Sequence, residues 1–378
     1  MRRCRILVIA RWPLGGIRTY MRYVYGALGD DCQVTLVAAS THENEALRQD
    51  CQASGVRLVL SEKPDVMSFV RQIYRELANG NYNCIQSHGF ISGICAYVAN
   101  IRFDVPHILT VHGILEDRLL QGLTGKVKMT ATSWIIRHVD VLYSVSHDIQ
   151  THLFEQIPSL AGASCNKVVI LNGIDTSKFD VSHGDKGRLR HRFDLDKDLF
   201  LAGFVGRFMQ QKGFNYLIDA IELLSAQNSL PDNFKVVAVG SGDYEEHYRS
   251  LVVSKGLSDR FVFIPFQSDM AGIYRDLDVV VMPSVWEACP LQPMEALVMG
   301  IPLVASNCIG LREVVHDTPA LVFESGDTRA LAECLRRVCS EPLQERFTAF
   351  MPEARNRFDV SRTVVDLRAL FERTARPA

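Results

Sequence analysis

The chain has 378 residues, 47% of them apolar, and a formal net charge of −2, which is long for one domain and comfortable for two, each with a sizeable core. A nearly balanced charge gives no support to a nucleic-acid partner. The ten cysteines are scattered, with no C-x-x-C pair and no Cys/His cluster at zinc spacing, so reduced thiols in a cytoplasmic protein are expected and a structural zinc is not. Met1-Arg-Arg-Cys-Arg5 does not open a secretory signal, and no apolar run approaches the roughly eighteen residues that span a bilayer.

In the first half, short β-rich runs fall at residues 5–10, 33–39, 57–60, 84–87, 107–111, 141–145 and 167–171. Helical patterns lie between most of them, among them 19–28, 66–78 and the long stretch 116–139. Continuous apolar strands alternating with helices predict a parallel sheet covered on both faces. A polar stretch, residues 172–198, carries Gly173, Gly184 and Gly187 as a linker would. The pattern then restarts with strands at 199–205, 234–239, 261–264, 279–282, 302–305 and 320–322. Their partner helices are expected at 213–225, 244–255, 291–299 and 328–339, and helical segments near 342–357 and 360–374 close the chain. The expected architecture is α/β, with Rossmann-like doubly wound domains at residues 1–180 and 181–360 facing each other across a cleft. Residues 361–378 are expected to form a helix that packs back on the first domain.

Ligands of doubly wound folds bind at the carboxyl ends of the strands, so chemistry is sought in the loops that follow them. Arg11-Trp-Pro-Leu-Gly15-Gly16-Ile-Arg18 joins the first strand to a helix. Its two glycines allow close backbone approach, and the helix start offers N–H groups to a phosphate. An ordinary tight turn is an equal reading, because G-x-G-x-x-G is absent. Phe204-Val-Gly206-Arg207-Phe-Met-Gln-Gln-Lys212-Gly213 follows the first strand of the second half. A guanidinium and an ammonium on either side of a turn can hold a diphosphate and stabilise it as it departs. A solvated loop is the plain alternative. The most specific stretch is Glu287-Ala-Cys-Pro-Leu-Gln-Pro-Met-Glu295. Pro290 and Pro293 suit a loop and the first helical turn, which sets Glu295 early in a helix with the N–H groups of Leu291 and Gln292 beside it.

Arg207 with Lys212, the Gly240-Ser-Gly242 turn, Pro283-Ser284, Glu287, Glu295-Ala296 and Gly300-Ile-Pro302-Leu-Val-Ala305 occur in one order and spacing. Together they resemble the glycosyltransferases of family 4, the group 1 transferases of the GT-B fold. Gly15-Gly16, Val111-His112-Gly113 and Asn172-Gly-Ile-Asp175 match the same pattern, so the resemblance covers essentially the whole chain. It implies a retaining, metal-independent transferase with a nucleoside-diphosphate sugar as donor, most commonly a UDP-sugar, and no separate cofactor. Residues 1–180 would be the acceptor side and 181–360 the donor-binding side. Glu295 would hold the ribose and Glu287 the hydroxyls of the donor sugar. Arg207 and Lys212 would bind the diphosphate, helped by backbone near Leu291 and Gln292 and by Gly15 and Gly16. His112 would line the sugar pocket near the reacting carbon, and residues 265–268 would face the base.

One departure stands out. The family often has two glycines before the Glu that corresponds to Glu313, and this chain has Ile309 and Gly310. Asp194-Leu-Asp196 and Asp276-Leu-Asp278 spell D-x-D, a metal cue of a different transferase fold. With Arg207 and Lys212 available, no metal site is assigned. The acceptor is expected to be a glycan, a lipid-linked molecule or a small molecule. Arg118, Lys126, Lys128, Trp134 and Arg137, with Arg18 and Arg22, offer a basic face for peripheral membrane contact, against a plain solvated helix. A GT-B epimerase or phosphorylase and a non-catalytic nucleotide-sugar-binding subunit are the alternatives.

Overall fold

The computed structural model describes residues 4–29, 32–41, 44–115, 122–180, 187–267 and 269–375. The chain divides into two compact units, Met1–Gly173 with Val360–Ala378, and Ile174–Asp359.

In the first unit the strands are β1 (Cys4–Ile9), β2 (Cys32–Ala38), β3 (Arg57–Leu60), β4 (Cys84–His88), β5 (His107–Val111), β6 (Val141–Ser144) and β7 (Asn166–Val169). All pair in parallel in the order β3-β2-β1-β4-β5-β6-β7. Every residue of β4, β5 and β6 is buried. Helices on both faces remove the solvated side that would otherwise impose alternation. Leu7, Ile9, Val37 and Ile85 pack with Phe69, Ile73 and Leu77 of the helix Val66–Asn79. Each such side chain contributes about 1.5–3 kcal/mol on full burial. Asp65 caps that helix by accepting from the Ser68 N–H. The last helix, Val360–Thr374, packs on the helix Gly16–Gly26. Arg368 donates to the Leu28 carbonyl, and the Thr363 hydroxyl donates to the Leu171 carbonyl at 2.8 Å.

The second unit carries β8 (Phe200–Val205), β9 (Phe234–Val239), β10 (Phe261–Ile264), β11 (Val279–Met282), β12 (Leu303–Ser306) and β13 (Leu321–Phe323). Their order, β10-β9-β8-β11-β12-β13, repeats the first six strands of the other sheet. In each sheet the winding reverses beside the unit's first strand, between β1 and β4 and between β8 and β11. Connections leave in opposite directions there, opening a crevice at the strand ends.

Two expectations need correction. The stretch 172–198 is not a free linker. Ile174 is fully buried, donates to the Phe358 carbonyl at 2.8 Å and bridges to Asp359. Phe179 is buried too, so the division falls after Gly173 rather than at 180. Gly184 lies outside the described residues. The buried Asp276 carboxylate accepts from the backbone N–H of Gly187 and, at 2.7 Å, of Leu189, capping the short helix Arg188–Arg192. The long helix is described from Gly122 to Arg137, and its expected start, with Arg118, lies outside the described residues.

Candidate functional site

In the second unit the loops after β8 and β11 emerge at the winding reversal, and glycines seat them against one another. Gly213 has φ +64°, and a Cβ there would collide with the Pro283 carbonyl. Gly310 has φ +77° and lies against the Glu287 and Ala288 carbonyls. Val285 donates to the Gln211 carbonyl at 2.7 Å, and Glu287 N–H donates to the Ile309 carbonyl at 2.9 Å. Ile309 therefore acts through its backbone, which any residue supplies, while Gly310 is the position that closeness makes specific. Phe208, fully buried among Phe204, Phe214 and Phe263, anchors the loop after β8 in the core. Its neighbour Arg207 is exposed and has no described partner.

Lys212 Nζ lies 2.7 Å from Glu287 Oε1, with Glu287 buried and the Lys212 side chain 13% exposed. The Ser284 hydroxyl donates to the same oxygen at 2.7 Å. Two donors converge on Oε1, and Oε2 has no described partner. A buried carboxylate held this way keeps one oxygen for a ligand hydroxyl. Lys212 Cε and Gln292 Nε2 flank Gly206, each just under 4 Å from where a Cβ would sit. Lys212, Glu287 and Gln292 thus form one cluster. Pro293 occupies the first turn of the helix Gln292–Val298, with Leu291 at its cap and Glu295 within that turn. Glu295 is buried and accepts from the Tyr274 hydroxyl at 2.9 Å.

Near the base-facing stretch, Phe266 is exposed and Gln267 buried, and residue 268 lies outside the described residues. The second D-x-D is structural: Asp276 caps a helix, and Asp278 accepts from the Leu201 N–H at 2.7 Å and pairs with Arg190. In the first, Asp196 accepts from the Asp198 N–H at 3.1 Å. Among the described residues no group of three His, Cys, Asp or Glu side chains is arranged to hold a metal.

In the first unit Gly15, at φ +56°, precedes the helix Gly16–Gly26 with no side-chain cap, so its first N–H groups are open. Gly16 faces open space. A cavity of about 350 Å³ lies beside this loop, lined by Arg11, Trp12, Leu14, Thr41 and Asn44 among others. His112, just past β5, is half-buried, and burial holds its pKa down at about 4. Its Nε2 lies 2.6 Å from Nδ1 of His88, at the end of β4. Burial, then the neighbouring ring, push His88 well below the usual histidine range. Tyr20 of the helix Gly16–Gly26 sets its ring edge-on to His112, with centroids 5.2 Å apart. His88 and Tyr274 were missed by the sequence reading, which gave Ser284 only as part of the Pro283-Ser284 motif. The available signal for His88 was a second His-Gly pair at a strand end, Ser87-His88-Gly89 beside Val111-His112-Gly113.

Of the proposed basic face, Arg18 is already paired with Asp50 at 2.6 Å and donates to the Ala46 carbonyl. The guanidinium of Arg22 lies over the Tyr23 ring, 5.2 Å from its centroid. The side chains of Lys126 and Lys128 are outside the described set. Exposed Trp134 and Val127, seven residues apart on one helix face, remain with Arg137. Among the described residues no helix is long and apolar enough to cross a membrane.

Residues 14–178 match the family described as Glycosyltransferase Family 4, and residues 185–357 match Glycosyl transferases group 1. The chain is 30% identical to a D-inositol 3-phosphate glycosyltransferase of Salinispora tropica over 77% of its own length and 64% of the relative's. It is 27% identical to the 2-deoxystreptamine glucosyltransferase of Streptomyces kanamyceticus, over 63% and 62% of the two lengths. The matched part of the chain thus spans less than two thirds of both relatives. The crystal structure of Anabaena Alr3699/HepE in complex with UDP-glucose superposes with a TM-score of 0.82 at 20% identity, covering 97% of this chain and 99% of that one. With two matched regions in family order on two repeats of one parallel sheet, the chain belongs to the glycosyltransferases of family 4, group 1, on the GT-B fold.

Proposed function

We propose that the protein is a retaining glycosyltransferase that moves a hexose from a UDP-sugar to a hydroxyl of a glycan or lipid-linked acceptor, in cell-surface polysaccharide or glycoconjugate synthesis. The observation that carries this reading is the buried Lys212–Glu287 pair, with Glu287 Oε2 open, beside the unpaired Arg207. Uracil as the base draws on HepE, which holds UDP-glucose. Glu287 takes donor-sugar hydroxyls, and Glu295, oriented by Tyr274, takes the ribose. Arg207 and Lys212 take the diphosphate, with the N–H groups at Leu291 and Gln292. In the first unit, Gly15 and Gly16 are the backbone candidates for donor binding and His112 is the candidate for the sugar. The first unit, with its cavity beside Trp12, is the acceptor side.

The anomeric C–O bond breaks as negative charge gathers on the leaving diphosphate, which Arg207 and Lys212 stabilise. The acceptor oxygen bonds to that carbon on the face the diphosphate leaves, and its proton passes to a diphosphate oxygen. Bonds and charge then balance with no resident cofactor or metal. Peripheral attachment to the cytoplasmic membrane face through Trp134, Val127 and Arg137 belongs to the same proposal.

A nucleotide panel followed by thermal unfolding tests the donor assignment. UDP and UDP-glucose at about a hundredfold excess over Kd should add about 2.7 kcal/mol of stability, and Arg207→Ala should remove most of that gain. Turnover is read as UDP released only with an acceptor, using inositol phosphate, 2-deoxystreptamine and lipid-linked saccharides, with and without EDTA. The product should keep the donor's anomeric configuration at an unchanged rate in EDTA. An inverted product, or no stabilisation by any nucleotide, sinks the reading.

A further inference from the structure

Beneath the helix Gly16–Gly26 a line of polar side chains runs through an otherwise apolar interior. Gln86 and His88 are two apart on β4 and so share a sheet face. Gln86 Nε2 donates to the Thr110 hydroxyl at 2.9 Å, which turns its carbonyl oxygen toward Tyr25. The Tyr25 hydroxyl donates to that oxygen at 2.8 Å and lies 2.6 Å from His88 Nε2. A phenol has one proton, and here Gln86 receives it. Tyr25 oxygen must therefore accept from His88 Nε2–H. Burial keeps the Tyr25 phenol protonated and His88 neutral, so His88 Nδ1 is bare. The hydrogen bond from His88 Nδ1 to His112 can then be supplied only by His112 Nε2–H.

We propose that Gln86, Tyr25 and His88 hold His112 in its Nε2–H tautomer, so that it presents a bare Nδ1 that accepts a hydrogen bond from a donor-sugar hydroxyl. The substrate class follows. At that position the sugar must carry a group that donates. A neutral sugar hydroxyl fits, while fluorine or a carboxylate sets one lone pair against another. Gln86, Tyr25 and His88 are positioning residues acting through His112. The sugar contact rests on the reading of His112 given above; the tautomer does not.

The full chain labelled with [15N]histidine tests this in long-range 1H–15N spectra at pH 7.5, with His112→Gln identifying the resonance. His112 should show a protonated Nε2 and a bare Nδ1, and a protonated Nδ1 or a charged ring overturns the proposal. Tyr25→Phe removes the acceptor of His88 and should leave His112 in a mixture of tautomers; an unchanged spectrum refutes the relay. The spectrum of the unaltered chain decides the matter even if Tyr25→Phe does not fold. In turnover, monodeoxyfluoro UDP-glucose analogues should reveal one hydroxyl whose replacement lowers kcat/KM about 10- to 100-fold. That penalty should shrink several-fold in Tyr25→Phe, while affinity for UDP stays the same. A penalty at no position, or one that Tyr25→Phe leaves intact, counts against the proposal. If UDP-glucose is not turned over at all, the transferase reading fails while the spectrum still decides the tautomer.

Discussion

Lys212→Met isolates what the buried pair does for the fold from what it does for the reaction. The substitution keeps the side-chain volume and removes the ammonium 2.7 Å from Glu287 Oε1. The carboxylate then retains only the Ser284 hydroxyl. Breaking one partner of a fully buried ion pair costs about 3–5 kcal/mol. Because Oε2 is open to a ligand, we take about 2–4 kcal/mol here. A unit of this size loses about 2–4 °C per kcal/mol, so the melting temperature should fall by about 4–16 °C. Adding Glu287→Gln removes the stranded charge and leaves an amide oxygen for Ser284 to donate to. Stability should return to within about 1 kcal/mol of wild type, since a neutral replacement of both partners is often tolerated. Turnover should not return, because Lys212, one of the two cations for the diphosphate, is absent in both variants. Calorimetry of the three proteins at pH 7.5, beside UDP release with acceptor, gives both readings. If the double variant melts no higher than Lys212→Met, or if it turns over, the division of roles is wrong.

Two further outcomes are expected. Burial holds His88, His107 and His112 below the unfolded value of about 6.5, with His107 at about 3 and His112 at about 4. All three are neutral in the fold, so between pH 6.5 and 4 the unfolded chain binds more protons. Their contribution is complete above about pH 6.5 and is lost as pH falls, by up to about 1.4 kcal/mol per histidine per pH unit. Urea midpoints at pH 7, 6 and 5 should drop by an increasing step, and equal midpoints would contradict the burial argument. The exposed Trp134 and Val127 should carry the chain into the floating fraction with anionic vesicles, and Trp134→Ser should reduce it. A protein that stays with the pellet on anionic vesicles has no such attachment.

Most of the sheet was readable because strands buried on both faces are written as unbroken apolar runs, as in Val279–Met282. The candidate residues could be singled out because Arg207, Lys212 and Glu287 lie in two loops, with Glu295 in the helical turn after the second, in a distinctive order and spacing. Their coupling could not: nothing in a sequence says that Lys212 meets Glu287, 75 positions away. Asp276 shows the same limit. Its D-x-D spelling is local, whereas its partners, Gly187 and Leu189, lie nearly ninety residues earlier. The stretch 172–198 looked like a linker because polar composition does not register such long-range anchoring. Tyr25, Gln86 and His88 escaped because each alone reads as an ordinary core polar residue. Only the pairing of β4 beside β5 and the helix above them makes a line of them.

The return of Val360–Thr374 to the first unit has a consequence for the order of events at the ribosome. The second unit is one uninterrupted stretch, complete once residue 359 has emerged, whereas the first, although begun earlier, waits for its closing helix. Until then the surface of Gly16–Gly26 that this helix covers is exposed to the surrounding cell. The usual amino-to-carboxyl order of maturation is thereby reversed. Of the two units, the one begun first is completed second, and a nascent chain stalled before residue 360 leaves that surface uncovered.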